Sequence, residues 1–145
     1  IDPHLRLIKG RGGALVREKI VAAASVRFVV VADETKLVPT LGTRSTVPVA
    51  VIPFGWSYVR DAVTRLGGRP ALRRRSGRPV VTDDGLYLLD CAFDMIGEPE
   101  RLAGDLRQIV GLVEHGLFLG MADEAIIGSP SGQVRVLRWN TNSPG

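Results

Sequence analysis

One cysteine, two histidines and few aromatic side chains (6%) are what this 145-residue chain has least of, and each scarcity removes a class of function. Cys91 alone cannot close an internal disulfide. Set among Leu88, Leu89, Ala92 and Phe93, it reads as a packed thiol of a reducing compartment rather than as a nucleophile. His4 and His115 stand far apart, with no Cys or His at ligand spacing, so no metal site is expected. No apolar run approaches the length that spans a bilayer, and no secretion signal pattern opens the sequence, so a cytoplasmic protein without membrane contact is expected. A P-loop would close its turn with Gly-Lys-Ser or Gly-Lys-Thr, and a dinucleotide fingerprint would put Gly or Ala where Leu15 stands; neither is present. No serine sits in a Gly-flanked elbow, which leaves a hydrolase triad without support.

What remains is an ordinary globular composition, 45% apolar and 23% charged, enough for one domain or two small lobes sharing a core. The net charge of +4 raises nucleic acid as a partner, because Arg69, Arg73, Arg74, Arg75 and Arg78 cluster. Those arginines run from Gly67-Gly68-Arg69-Pro70 to Ser76-Gly77-Arg78-Pro79, which reads as an edge strand and a turn whose charge is solvated, so nucleic acid is not expected.

The most informative stretch runs from Ile8 to Ile20. Leu5 to Ile8 reads as a short buried strand, Gly10, Gly12 and Gly13 as a turn, and Ala14 to Ala24 as a packed helix carrying Glu18. Bare backbone amides in such a turn, with the positive end of a helix behind them, suit an anion. Lys9 and Glu18 would then flank one pocket. The same residues also fit a common surface turn whose Lys and Glu meet only solvent.

The remaining elements fall into order along the chain. Phe28 to Ala32 completes a strand-helix-strand unit expected in a parallel sheet. Val47 to Ile52 is a strand, Trp56 to Leu66 a helix, Ala71 to Arg74 and Leu86 to Leu89 strands, Pro99 to Ile109 a helix and Val113 to Phe118 a strand. That order predicts a ferredoxin-like α+β lobe over residues 47–116. Ala125 to Ile127 and Val134 to Leu137, around a Ser129-Pro130-Ser131-Gly132 turn, are expected to rejoin the first lobe. The fold class is therefore α/β: residues 1–46 and 117–145 as part of a Rossmann-like parallel-sheet domain, with the ferredoxin-like lobe inserted. A polar tail follows from Asn140 to Gly145. RNA-recognition modules share the ferredoxin-like order, but their aromatic-rich strand is missing; Tyr87, Phe93 and Phe118 are scattered and read as core or interface packing.

Lys9-Gly10-Arg11-Gly12-Gly13-Ala14, Arg17-Glu18-Lys19 and Val31-Ala32-Asp33-Glu34-Thr35-Lys36 resemble central motifs of the ribose-5-phosphate isomerase A family. Pro48 to Pro53, Leu66-Gly67-Gly68-Arg69-Pro70, Val81-Thr82-Asp83-Asp84-Gly85, His115-Gly116-Leu117-Phe118 and Ile127-Gly128-Ser129 follow in that family's order, so the resemblance covers nearly the whole chain. It implies interconversion of D-ribose 5-phosphate and D-ribulose 5-phosphate through a cis-enediolate in the pentose phosphate pathway. Glu18 matches the general base, Lys9 the lysine that supplies positive charge near the sugar, and Lys36 a further lysine contacting the substrate. Gly10, Arg11 and Gly12 match the rest of the substrate-binding stretch. The family needs no metal or organic cofactor, and its inserted lobe helps subunits associate, which implies a homodimer or homotetramer.

The sequence departs from the family in one respect. The phosphate-binding Gly-Thr-Gly-Ser-Thr loop and the Asp-Gly-Ala-Asp-Glu segment, upstream of these motifs in the family, do not occur here. Ile1-Asp2-Pro3-His4 resembles the residues just after the acidic segment, and Ile1 stands where a translation start gives methionine, so an N-terminally incomplete form is expected. Thr43-Arg44-Ser45-Thr46 has hydroxyls without flanking glycines and reads as a linker. The alternative that the departure leaves open is a non-catalytic sugar-phosphate-binding or assembly module.

Overall fold

A computed structural model describes residues 1–138; the polar tail over 140–145 lies outside the described residues. Strand β3 (Val47–Val51) is buried along its whole length, and its alternation explains the layering. Val47, Val49 and Val51 face one core together with Leu89 and Cys91 of β7 (Tyr87–Ala92), while Ala50 and Leu88 point into another. β4 (Arg69–Leu72), β7, β3 and β8 (Leu112–His115) form one antiparallel sheet in that order, with Val49 opposite Leu89 on one side and His115 on the other. Helices α2 (Trp56–Arg65) and α3 (Pro99–Arg107) cover its first face through Val59, Val63, Ala103 and Leu106. The expected order of strands and helices is thus observed with boundaries shifted by a few residues, except that the one strand expected from Val113 to Phe118 is two: β8 ends at His115, and Leu117–Phe118 belong to a different sheet.

The second face of this sheet carries the stretch of interest. Helix α1 (Leu15–Ala24) lays Leu15 and Ala22 on Ala50 and Leu88, beside Leu7 of β1 (Leu7–Ile8) and Phe118 of β9 (Leu117–Phe118). Burial on both faces gives the central strand β3 its continuous apolar run. Beyond it, β2 (Val29–Asp33) runs parallel to β10 (Glu124–Gly128), which forms a hairpin with β11 (Val134–Arg138) through the Ser129–Gly132 turn. Leu5, Ala125 and Ile127 form the small core of that three-stranded sheet.

One expectation is corrected. β1, α1 and β2 are not a strand-helix-strand unit of a single parallel sheet: β1 pairs antiparallel with β9, Leu7 opposite Phe118. The cause lies at Gly116, where a Cβ would press on the Lys9 carbonyl oxygen and approach Pro48 Cδ to 2.6 Å. Only glycine lets the chain after β8 pass between β1 and β3, and the Lys9 amide then donates to the Gly116 carbonyl at 2.8 Å.

The arginine run is a β4 edge followed by a two-strand hairpin, β5 (Arg74–Arg75) with β6 (Arg78–Pro79), turning at Ser76 and Gly77 with φ of 51° and 78°. Arg69 pairs with Asp94 at 2.6 Å yet stays solvated, 63% exposed; Arg73, 17% exposed and paired with Asp90, is the charge that is not. Cys91 is fully buried, and burial pushes its thiol up to about 12, so it carries no thiolate near neutrality.

Candidate active site

After Ile8 the chain reverses at Gly10, whose φ is 90°. A Cβ there would stand 2.7 Å from Leu15 Cβ, so glycine satisfies both the left-handed backbone and the close approach of the helix start. Gly13, at φ 104°, donates its amide to the Gly10 carbonyl at 3.1 Å and closes the turn. Gly12 is different: nothing lies within 4 Å of the place a Cβ would take. The exposed amides of Arg11 and Gly12 enter no hydrogen bond with the described residues. Ala14 offers no side-chain cap, so the first amides of α1 also stay open, with Glu18 in the first turn.

The turn from Lys9 to Gly12, with Glu18, lines a cavity of about 660 Å³, within the range that holds small metabolites. Glu18, Lys9, Gly10, Arg11, Gly12 and Lys36 all border it. Lys9 Nζ stands 3.2 Å from Glu18 Oε2, the two side chains 33% and 30% exposed, and 5.9 Å from the centroid of the Phe118 ring beneath. Lys36 lies in the turn that leaves β2, 3.4 Å from Asp33 Oδ2, and does not pair with Glu18. Asp33 caps that turn: its carboxylate accepts from the Thr35 hydroxyl and, at 2.9 Å, from the Thr35 amide. The hydroxyl, the amide and the Lys36 ammonium hold the Asp33 carboxyl below the usual carboxylate range.

Asp33, Thr35, Arg44 and Ser45 also border the cavity, which sequence reasoning did not assign. An Asp-x-Thr turn signal was present for the first two; Arg44 and Ser45 arrive only through the path of the chain, Arg44 Nη1 reaching the Thr35 carbonyl at 3.5 Å. Behind α1 lies a second unassigned group. Lys19, 6% exposed, donates to Glu114 Oε1 at 2.7 Å and to the His115 carbonyl, with its ammonium 4.9 Å from the Phe118 ring centroid. No group of three or more His, Cys, Asp or Glu among the described residues is placed to hold a metal ion.

The chemistry available is specific. A carboxylate can take a proton, an adjacent ammonium can stabilise negative charge that develops beside it, and free amides with a second ammonium across the cavity can hold an anionic group. A family model for ribose 5-phosphate isomerase A (phosphoriboisomerase A) matches residues 1–132. The chain belongs to that family. It is 56% identical over 137 residues to the ribose-5-phosphate isomerase A of Roseiflexus sp. (strain RS-1), covering 94% of this chain and 59% of that protein. Among solved structures, ribose 5-phosphate isomerase A from Methanocaldococcus jannaschii superposes with a TM-score of 0.88 at 36% identity, over 94% of this chain and 60% of that one. A D-ribose-5-phosphate isomerase in complex with phospho-erythronic acid gives 0.90 at 37%, over 95% and 61%. The chain therefore spans about three fifths of the length of the relatives it matches.

Proposed function

We propose that the full-length protein interconverts D-ribose 5-phosphate and D-ribulose 5-phosphate, with Glu18 as the base. The observation that carries this reading is the convergence of the Glu18 carboxylate and the Lys9 ammonium, 3.2 Å apart, on a cavity edged by the open Arg11 and Gly12 amides. Glu18 removes the proton from C2 of the open-chain aldose. The C2–H electrons form the C1–C2 double bond while the carbonyl pair moves onto O1, where Lys9 and the turn amides offset the charge. Glu18 then returns its proton to C1, the hydroxyl proton passes from O2 to O1, and the ketose results. Lys36, on the far rim, supplies a cation for the substrate's anionic end. The family relative in complex with phospho-erythronic acid supports the same class of ligand. An aldonic carboxylate sets two oxygens in a plane, as an enediolate does. No metal or organic cofactor takes part in this scheme.

Conversion of ribose 5-phosphate in D2O tests the reading on the full-length protein. Ribulose 5-phosphate carrying solvent deuterium at C1 is expected; binding of the sugar phosphate with neither conversion nor exchange would instead identify a non-catalytic binding module.

The same proposal includes self-association and a cytoplasmic setting. Phe54 (99% exposed), Val110 (77%) and Ile52 (48%) crowd one end of the four-stranded sheet, where the Ile52 amide bonds the Gly111 carbonyl. No helix among the described residues is long and apolar enough to cross a membrane. Sedimentation of the full-length protein is expected to give the mass of two or four protomers, and Phe54→Asp to lower it. A monomer at micromolar concentration would remove homo-oligomerisation from the proposal.

A further inference from the structure

The arginine run, set aside as a solvated edge, sends one side chain to the candidate site. Arg73 Nε and Nη2 donate to Asp90 Oδ2 and Oδ1 at 2.9 and 2.6 Å, a fork-on-fork pair, and Nη1 donates to the Arg11 carbonyl at 2.9 Å. The backbone behind it is fixed as well: the Arg73 amide donates to Leu88 O and its carbonyl accepts from Val80 N. Arg69 pairs with Asp94 and Arg74 bonds its own hairpin at Gly77, so neither reaches the glycine turn.

The contact has a stereochemical consequence. The described chain contains no cis peptide, and in a trans peptide the carbonyl and the following N–H point in opposite directions. Arg73 does not line the cavity, whereas Arg11 and Gly12 do. Holding the Arg11 carbonyl on the sheet side therefore turns the Gly12 N–H toward the cavity. The turn would not choose this by itself: Gly12 has open space around it, and a glycine tolerates either orientation of the preceding peptide plane. The guanidinium also polarises the peptide it bonds, strengthening the N–H as a donor.

We propose that Arg73, locked by Asp90, is a positioning residue that orients the Gly12 amide as a hydrogen-bond donor to the oxyanion of the enediolate. This inference rests on the isomerase reading. It predicts a loss expressed in the transition state rather than in ground-state binding. In the full-length protein, Arg73→Met is expected to lower kcat about 10- to 100-fold, somewhat less than deleting an oxyanion donor outright, with KM for ribose 5-phosphate within about threefold. Affinity for phospho-erythronic acid should fall in parallel with kcat, while affinity for inorganic phosphate stays near wild type. Arg73→Lys keeps the charge without the fork and should not rescue kcat. Asp90→Asn, which leaves Arg73 in place with a weaker lock, should fall between wild type and Arg73→Met even if the latter folds poorly.

Folded Arg73 and Asp90 variants with wild-type kcat would overturn the inference alone. So would full rescue by lysine, or equal losses for phospho-erythronic acid and inorganic phosphate. A wild-type protein without turnover brings down the isomerase reading and this inference together.

Discussion

Glu18→Gln in the full-length protein is expected to lower kcat by about 10²- to 10⁴-fold, the range associated with loss of a positioned general base, while KM for ribose 5-phosphate changes little. The two side chains have nearly the same shape, so the cavity keeps its outline; what disappears is a group able to accept a proton from C2 and return it to C1. Stability should scarcely move. The Lys9–Glu18 pair is about one-third exposed on each side, and an ion pair so placed contributes about 1 kcal/mol or less. Steady-state kinetics and deuterium uptake from D2O check the expectation together, because exchange of substrate protons must fall with turnover if Glu18 is the group that carries them. Turnover within tenfold of wild type would remove Glu18 as the base and leave the cavity a binding site only.

The site sits where it does because one sheet serves two sides. α2 and α3 fill the first face of β4-β7-β3-β8, and α1 rests on the second, so the glycine turn is anchored from below by a rigid, doubly covered layer. Three polar links tie the turn and α1 to that layer: Arg73 to the Arg11 carbonyl, Arg17 to Asp84 at 2.9 Å, and Lys19 to Glu114 at 2.7 Å. The far wall, from β2 to Lys36, belongs to the smaller parallel pairing of β2 with β10. Glu18, the proposed base, and Lys9 thus stand on the wall backed by the four-stranded sheet, and Lys36 on the other.

Much of this was legible in residues read locally. Val47, Val49 and Val51 alternate with Pro48 and Ala50 as a buried strand must, and Gly10 and Gly13 marked a turn that proves to need left-handed φ. The pairing of β1 was not legible, since two residues carry no periodicity and their partner is chosen by Gly116, over 100 positions away. Arg73 looked like any arginine on an exposed edge; only the tertiary approach of Arg11 singles it out. Lys19 carries a signal in the sequence itself. It falls four residues after Leu15 and three before Ala22, on the buried stripe of α1, so a cation there needed a partner.

Removing that cation should have the second large effect, on stability. Lys19→Met in the full-length protein leaves the Glu114 carboxylate, 24% exposed, without its counter-ion, and stability is expected to fall by about 3 kcal/mol at pH 8, the cost of breaking a mostly buried pair from one side. The pH dependence identifies the mechanism. His115 Nδ1 accepts from the Leu117 amide at 3.3 Å and faces Lys19 Nζ at 3.4 Å, which assigns the ring proton to Nε2 and leaves the ring neutral. Burial and the Lys19 ammonium push the His115 pKa down to about 4, from 6.5. Between those values the unfolded chain binds a proton that the native ring refuses, so the wild type loses stability as pH falls from 6.5 through about 4. Glu114 acts in the same direction at lower pH. Burial opposes its charge but is outweighed by the Lys19 ammonium and the His115 amide, which hold its pKa below 4.5, so its contribution is lost below that value. In Lys19→Met the balance shifts: the ammonium facing His115 is gone, only the Arg107 charge still opposes protonation, and the ring lies 3.9 Å from an unpaired carboxylate, so protonating it creates a pair. The deficit relative to wild type should therefore narrow steadily between pH 8 and pH 5 in urea unfolding. A deficit that is constant over that range would mean that Lys19 contributes through packing on Phe118 rather than through its charge.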